Sequence, residues 1–464
     1  MILPELISES NFLTKMADGT FKQLNPFTGT EVWTVPGRAN RPLDTGIRRV
    51  GNPIRSKEVE DYCVFCQANL YETPPEKARL VKTARGYELM RDVRAENLFE
   101  TTPIFRRIPN LFEIISYDYW AKNYTYCPGQ PAQAHKARYL STPEGVRHVL
   151  HNVDRKLLLS GQIDPATISD EDKLAMADEF FAGGHELILG PRHFVENAEH
   201  DAQLASSGTM TPEQHDQYFK FTVAALRDIY LANRYVRYVA VFQNWLQPAG
   251  ASLDHLHKQL VAIDGRSAAI EREIALIRHN PNVYNDWAVN FAGYRNLIFA
   301  ENDYAIAFAA FGHRFPTLAV YSKSSRSQPW NHSPEELRGM SDIVHACHAA
   351  MGSEIPCNEE WYYKPPDADV AMPWRVLIKW RISNPAGFEG GTKIYVNTID
   401  PVSLRDKVVP RFFQLKNEGR IAPMRIAFEC ECVPNCLKYN PAVREDGDAS
   451  ALYPPLSGRA RETG

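Results

Sequence analysis

The sequence lacks the features of several large classes of protein. Its formal net charge is -4 over 464 residues, so no overall positive charge attracts nucleic acid or an anionic membrane. Its apolar runs are too short to cross a membrane, and the N-terminal M-I-L-P-E-L-I-S-E-S has no basic start and no apolar core of a signal peptide. With 8 cysteines in this length, a disulfide scaffold is also excluded. We therefore expect a cytoplasmic protein that binds neither nucleic acid nor membranes.

The sequence does contain enough apolar residues for a large core, and the order of its predicted elements occurs twice. Hydrophobic residues make up 44% of the chain, and its length predicts two domains or one doubled unit. Each time, a strand precedes a helix that opens with Thr-Pro-Glu or Ser-Pro-Glu, and another strand follows it. Thr211 and Ser333 are the predicted N-caps of these helices. The repeated order predicts an α+β fold of two related halves, with an active site near their interface.

This order divides the chain into three predicted regions. They are a catalytic half with a metal site (1–265), a degenerate second half (266–420) and a tail rich in proline and cysteine (421–464). Within the first half, Asn110 to Tyr117 is a predicted strand, and Ser141 to Asp178 is a predicted helical insertion between strands.

The most informative motif is H-L-H-K-Q at 255–259, which closely follows Gly250 and Ser252. In an extended strand, residues two apart share a face, so His255, His257 and Gln259 would point the same way. About 0.02 such motifs are expected by chance in a chain of this composition. A backbone that can approach a phosphate at Gly250 favours phosphorus chemistry. The alternative interpretation is a buried strand with hydrogen-bonded histidines.

A C-x-x-C pair at Cys63 and Cys66 could bind one tetrahedral metal ion, because its short spacer allows both thiolates to reach the same ion. Two more ligands are needed, and His193 with His255 would complete a closed Cys2His2 set. The alternatives are a redox pair or two buried small residues. A further group near the end of the chain could bind metal with Cys357 or a histidine, or could be reduced thiols: Cys430, Cys432 and Cys436.

Together these motifs resemble the galactose-1-phosphate uridylyltransferase family within the histidine-triad superfamily. The resemblance runs from about Gln23 to Arg411 and includes the C-V-F-C, G-P-R-H and H-L-H-K-Q motifs. It implies two histidine-triad-like halves with antiparallel sheets flanked by helices, a nucleotide or nucleotide-sugar substrate, and a homodimer. The segment G-F-E-G-G-T-K-I-Y-V-N is similar to the nucleotide-sugar phosphorylase branch.

The resemblance also implies a role for each residue of the site. His257 would be the catalytic nucleophile, and Gln259 would hydrogen-bond a phosphoryl oxygen during catalysis. Four residues would bind substrate: Asn110, Asn244, Gly250 and Ser252. Four others would hold a structural Zn²⁺: Cys63, Cys66, His193 and His255. These roles predict a nucleotidyltransferase that passes a nucleoside monophosphate from a nucleoside diphosphate sugar to a phosphate or sugar 1-phosphate through a nucleotidyl-histidine.

Two alternatives stay open at this point. One is a dinucleoside polyphosphate or nucleotide-sugar phosphorylase or hydrolase, although Gln259 cannot donate a proton as an acid and so favours transfer over hydrolysis. The other is a non-catalytic zinc protein that binds nucleotides.

The chain has Leu111 where uridylyltransferases have an acidic residue that holds the ribose, which counts against galactose as the sugar. Leu377 and Lys379 replace a histidine pair, which counts against a second metal site.

Overall fold

The computed structural model describes residues 9–38, 51–55, 59–161 and 164–443, and these ranges form sixteen strands and eleven α-helices. The strands are β1 (Leu13–Lys15), β2 (Phe21–Leu24), β3 (Glu31–Thr34), β4 (Ala78–Thr83), β5 (Gly86–Arg91), β6 (Pro103–Pro109), β7 (His185–Leu189), β8 (Tyr238–Trp245), β9 (His257–Ile263), β10 (Ile298–Glu301), β11 (Ala305–Ala310), β12 (Thr317–Ser322), β13 (Cys357–Tyr362), β14 (Arg375–Trp380), β15 (Ile394–Val396) and β16 (Arg425–Ile426). The helices are α1 (Tyr117–Tyr124), α2 (Gln130–Tyr139), α3 (Pro143–Ser160), α4 (Asp170–Met176), α5 (Asp178–Ala182), α6 (Pro212–Ala232), α7 (Ala268–His279), α8 (Phe291–Tyr294), α9 (Pro334–Met351), α10 (Gly387–Thr392) and α11 (Pro401–Asn417).

One antiparallel sheet of twelve strands runs through most of the described chain, in the order β16-β10-β11-β12-β14-β13-β8-β9-β7-β6-β4-β5. The two halves meet where β8 pairs with β13, with Phe242 opposite Glu360. Outward from this junction the order is β8-β9-β7-β6 on one side and β13-β14-β12-β11 on the other. The same connectivity on both sides confirms the predicted α+β fold of two related halves with antiparallel strands.

Helices α6 and α9 occupy the same place in the two halves, since each connects a third strand to a central one. Thr211 accepts a hydrogen bond from the amide of Gln214, whose side chain accepts one in return from the Thr211 amide. Ser333 makes the same reciprocal pair at the start of α9. Both predicted N-caps are therefore confirmed, and each starts a long helix against the sheet. None of the helices in the described ranges has the length and apolar character that a membrane span needs.

A second, smaller sheet joins the start of the chain to the second half. Its order is β1-β2-β3-β15, and β15 runs parallel to β3. The side chain of Gln23 accepts a hydrogen bond from the amide of Gly312. At the other end, β16 pairs with β10, and Leu437 and Tyr439 are buried in the core, so the first part of the predicted tail packs against the second half. Residues 444–464 of that tail lie outside the described ranges, and the predicted division at 265 and 420 stays a prediction.

The predicted strand from Asn110 to Tyr117 is wrong. Strand β6 ends at Pro109, and the Asn110 side chain accepts a hydrogen bond from the amide of Phe112, which turns the chain. Ser116 then caps α1. The apolar residues of this segment lie in a loop, where the Ile114 side chain is 64% exposed. Apolar composition alone was therefore not sufficient evidence for a strand. The helical insertion predicted from Ser141 to Asp178 is present as α3 and α4.

Candidate active site and metal centre

Strand β9 separates its side chains between two environments, as the alternation of a strand requires. His257 and Gln259 lie on one face, opposite Leu189 and Leu187 of β7. Lys258 lies on the other face, where it is fully buried and its ammonium is 2.7 Å from Glu359. Lys258 is therefore a buried structural residue, and the face that carries His257 is the one available for chemistry.

A cavity of about 320 Å³ opens on the face that carries His257 and Gln259. This volume lies at the lower end of the range of small-molecule pockets. The cavity brings together four of the predicted site residues: Asn110, Ser252, His257 and Gln259. Its other walls come from the C-x-x-C turn, the end of β6 and helix α3, and include Val64, Phe65, Ile108, Leu111, Arg155 and Leu159. Segments far apart in sequence therefore meet around the two side chains of β9.

Asn244 and Gly250 are not among the described residues that line this cavity. They shape the turn between β8 and β9 instead. Gly250 has a φ of 90°, a conformation that favours glycine, and its carbonyl accepts a hydrogen bond of 3.4 Å from Asn244. Asn358 of the second half donates to Asn244 over 2.7 Å. Asn244 and Gly250 therefore support the turn that precedes Ser252. Their contact with substrate stays a prediction.

The ring of His257 has a defined proton position. Its Nδ1 lies 2.8 Å from the main-chain carbonyl of His255. Because a carbonyl only accepts hydrogen bonds, Nδ1 carries the proton and Nε2 carries a lone pair. Burial lowers the pKa of His257, so the ring is neutral at pH 7. The Phe65 ring packs edge-on against it, with 5.5 Å between the ring centroids.

Two residues of this region were not singled out from the sequence. His185, at the start of β7, lies with its Nε2 3.0 Å from Oε1 of Gln259. Burial lowers the pKa of His185 to about 4, so its ring is also neutral at pH 7. Arg155 of α3 is the only lysine or arginine among the described residues that line the cavity. The alternation of β7 could have revealed His185, since it shares a face with Leu187 and Leu189, but nothing in the sequence indicated that α3 lines this cavity.

The four predicted metal ligands come together in one cluster: Cys63, Cys66, His193 and His255. The two sulfur atoms are 3.7 Å apart, and the hydrogen-bonded sulfur–nitrogen distances run from 3.3 to 3.9 Å. A tetrahedral Zn²⁺ with ordinary bond lengths separates its ligand atoms by about 3.5–3.8 Å. The four side chains therefore fit a single tetrahedral ion without rearrangement.

The surroundings of the cluster also suit a metal ion. The Nε2 of His255 lies 3.2 Å from the carbonyl of Gly190, which leaves Nδ1 free to face the sulfur atoms. The thiol of Cys63 and then the rings of His193 and His255 lower the pKa of Cys66, which favours the thiolate that binds metal. Within the described ranges this is the only group of three or more such ligands, so the alternative site around Cys430 and its neighbours is not supported.

Two solved structures share the fold described above. An ADP-glucose phosphorylase from Arabidopsis thaliana with bound ADP-glucose is 15% identical, with a TM-score of 0.53, and the match covers 84% of this chain and 98% of that one. A galt-like protein from Arabidopsis thaliana is also 15% identical, with a TM-score of 0.50 and the same coverage. Both matches confirm the expected resemblance at the level of the fold. No curated protein matches the chain.

One family model matches residues 16–439, which include both halves of the large sheet, the cavity and the metal cluster. The family is described as a domain of unknown function. Because this match covers most of the 464 residues, the chain belongs to the DUF4921 family.

Proposed function

We propose that this protein is a nucleotidyltransferase in which His257 carries the nucleoside monophosphate between two phosphates. The observation that carries the proposal is the state of His257. Its ring is neutral, its Nδ1 proton is held by the carbonyl of His255, and it lines a cavity of ligand size. A neutral imidazole with a free lone pair is a good nucleophile near pH 7.

The reaction consists of two displacements at one phosphorus atom. The Nε2 of His257 attacks the α-phosphorus of a nucleoside diphosphate sugar, a P–N bond forms, and the P–O bond to the sugar 1-phosphate breaks. The sugar 1-phosphate leaves with the electron pair. A second phosphate then attacks the same phosphorus, and the P–N electron pair returns to Nε2. The Nδ1 proton stays on the hydrogen bond to His255 throughout, so neither step needs a general acid.

Several groups of the cavity would stabilise the charge that develops on the phosphoryl oxygens. The amide of Gln259 and the hydroxyl of Ser252 are hydrogen-bond donors beside the nucleophile. Arg155 of α3, whose guanidinium is 3.7 Å from the carboxylate of Glu72, is the basic side chain of the same cavity. The apolar side chains of Ile108, Leu111 and Leu159 offer a surface for the base.

We assign Zn²⁺ to the cluster of Cys63, Cys66, His193 and His255. Two thiolates and two imidazoles in a closed tetrahedral set are typical of structural zinc, which leaves no position for substrate. The bound ion would fix the loop that carries Phe65 and hold His255, whose carbonyl orients His257. Its contribution would be to the position of the nucleophile, and every chemical step belongs to the cavity residues.

A second candidate function is favoured by one fold relative. That relative is an ADP-glucose phosphorylase whose structure contains ADP-glucose. In a phosphorylase, inorganic phosphate would release the nucleotide from His257 as a nucleoside diphosphate, whereas in a transferase a sugar 1-phosphate would release it as a new nucleotide sugar. Both use the same covalent intermediate. The homodimer and the cytoplasmic location stay predictions.

The test is to trap the intermediate. The protein is incubated with UDP-, ADP- and GDP-glucose labelled at the α-phosphate, and acid-labile label on the protein is measured. We expect label from at least one nucleotide in the wild type and in His279→Ala, whose histidine is exposed at the end of α7, and none in His257→Ala. No label from any of the three, or equal label in His257→Ala, would refute the proposal. The product formed when phosphate or a sugar 1-phosphate is added then separates phosphorylase from transferase.

A further inference from the structure

We propose that His185 is a positioning residue that fixes the side-chain amide of Gln259, so that its NH2 group faces the reacting phosphate. This inference rests on the proposed function, because it concerns the same reaction. His185 starts β7, and Gln259 lies on the adjacent β9, opposite Leu187. Both side chains are on the same face of the sheet, and His185 is buried with 1% of its surface exposed.

The hydrogen bonds of His185 determine which ring nitrogen carries its proton. The amide N–H of Ile114 donates to Nδ1 over 3.1 Å. Nδ1 must therefore hold a lone pair, and the single proton of the neutral ring is on Nε2. That proton is donated to Oε1 of Gln259 over 3.0 Å.

This proton in turn determines how the Gln259 amide is oriented. A glutamine amide can rotate to exchange its oxygen and nitrogen, and a phosphate oxygen can be bound only by the nitrogen. With the oxygen held by His185, the NH2 group is directed away from the ring. The opposite rotation would set the NH2 group against the ring N–H and turn the amide oxygen toward the phosphate. His185 therefore presents Gln259 as a donor before substrate arrives.

The same histidine constrains Asn110, a second amide that lines the cavity. Its oxygen accepts from the amide of Phe112 over 3.0 Å, and its Nδ2 lies 3.1 Å from Nε2 of His185. If Nε2 accepted this hydrogen bond, the ring proton would be on Nδ1, against the fixed N–H of Ile114. The N–H of Ile114 belongs to the backbone, so it constrains the ring more strongly than the side-chain NH2 group of Asn110 does. The tautomer with its proton on Nε2 is therefore favoured.

A purely structural role is the alternative explanation. The His185 side chain also holds the loop after β6, because its Nδ1 accepts from the amide of Ile114 over 3.1 Å. If anchoring this loop were its only function, the effect of replacing His185 would not depend on Gln259. If His185 acts through Gln259, its effect should disappear when the amide is absent. A double-mutant cycle separates the two explanations.

The experiment measures the rate at which the protein acquires label from the nucleotide sugar that labels wild type best. It compares wild type, His185→Phe, Gln259→Ala and the double variant, with bound zinc as a check of folding. We expect His185→Phe to slow labelling about tenfold in the wild-type background, and by less than about twofold in the Gln259→Ala background. An equal loss in both backgrounds would refute the positioning role.

A spectroscopic measurement tests the hydrogen bond between His185 and Gln259 separately from the proposed function. In protein labelled with ¹⁵N-histidine, the His185 signal, identified by its loss in His185→Phe, reports which ring nitrogen carries the proton. We expect the proton on Nε2, with a changed Nε2 environment in Gln259→Ala. A proton on Nδ1 would refute the inference even if wild type is labelled. Absence of label with the expected tautomer would refute the proposed chemistry and leave the hydrogen bond established.

Discussion

The two halves of the large sheet share their strand order but use the same face of the sheet differently. One row of paired residues crosses this face from Gln259 through Phe242 and Glu360 to Leu377. On the first-half side the row leads to a cavity in which the two side chains of β9, His257 and Gln259, are neutral. On the second-half side, Lys379 is 2.5 Å from Glu360, so that charged groups are paired with each other.

The second half goes further by burying an ion pair beside this row. Arg375 bonds to Glu273 of α7, and its guanidinium stacks on Tyr284 at 4.9 Å and Tyr362 at 5.0 Å. The charges of Arg375 and Glu273 are therefore paired within the protein, and none of them is left for a ligand. In the first half, the lone pair on Nε2 of His257 and the NH2 group of Gln259 are left for a ligand. Under the proposed function, the first half would therefore hold the chemistry and the second half would support it.

The largest effect that would sharpen this comparison is loss of the zinc ion proposed for the first half. Cys63→Ser removes one of four ligands, and we expect it to abolish stoichiometric zinc binding. The free energy of unfolding should fall by about 5 kcal/mol, because a structural zinc contributes directly to folding. Metal analysis and urea unfolding measure both. Cys357→Ala, at a buried cysteine of the second half, is the matched control and should keep its zinc. If Cys63→Ser kept full zinc content and stability, the assigned site would be wrong.

A smaller effect should come from breaking the ion pair of the second half. Arg375→Met leaves the carboxylate of Glu273 buried without its cation, which typically costs about 3–5 kcal/mol of stability. The rate at which His257 is labelled, measured at a temperature where the variant is folded, should change by less than about twofold. His257→Ala should do the reverse, abolishing label with little change in stability.

The double variant Arg375→Met with Glu273→Leu is the control for this pair. Removing both charges should recover much of the lost stability, because no buried charge is then left unpaired. A large loss of labelling in Arg375→Met at full folding would contradict the division of roles between the halves.

Local signals in the sequence were sufficient for the elements and motifs that depend on near neighbours. Thr211 and Ser333 were predicted as N-caps because each is followed directly by a proline and a glutamate. The spacing of Cys63 and Cys66, and the alternation of His255, His257 and Gln259, are also local. The resemblance then connected these motifs, and the structure brings the four expected metal ligands together.

What the sequence could not supply were contacts between segments that are distant along the chain. Nothing local indicated that β8 pairs with β13, or that Arg155 of α3 reaches the cavity. The apolar residues after Asn110 suggested a strand, but a side chain-to-backbone hydrogen bond turns the chain there. His185 was overlooked for the same reason, since its meaning depends on Gln259, which lies 74 residues away on a neighbouring strand.

The halves are alike in one respect, which is their content of buried neutral histidines. In the first half, burial lowers the pKa of His135 and His148 to about 4. In the second half, it lowers the pKa of His332 and His345 to about 4. An unfolded histidine titrates near 6.5, so between pH 6.5 and 4 the unfolded chain binds more protons than the folded one. Stability contributed by these residues is therefore lost as the pH falls through this window.

The smallest predicted effect follows from removing one such histidine from each half. His148→Gln and His345→Gln should each reduce the fall in unfolding free energy between pH 7 and pH 5 by about 2 kcal/mol, since each pKa unit corresponds to about 1.4 kcal/mol. Urea unfolding at pH 7 and pH 5 measures this decrease in unfolding free energy. The control is His279→Gln, at an exposed histidine, which should leave the decrease as it is in wild type. Equal changes in both variants would show that the two halves share their acid sensitivity, although the proposed nucleophile lies in only one of them. If the unfolding free energy of both variants decreased as much as that of wild type, these histidines would not be neutral in the folded protein.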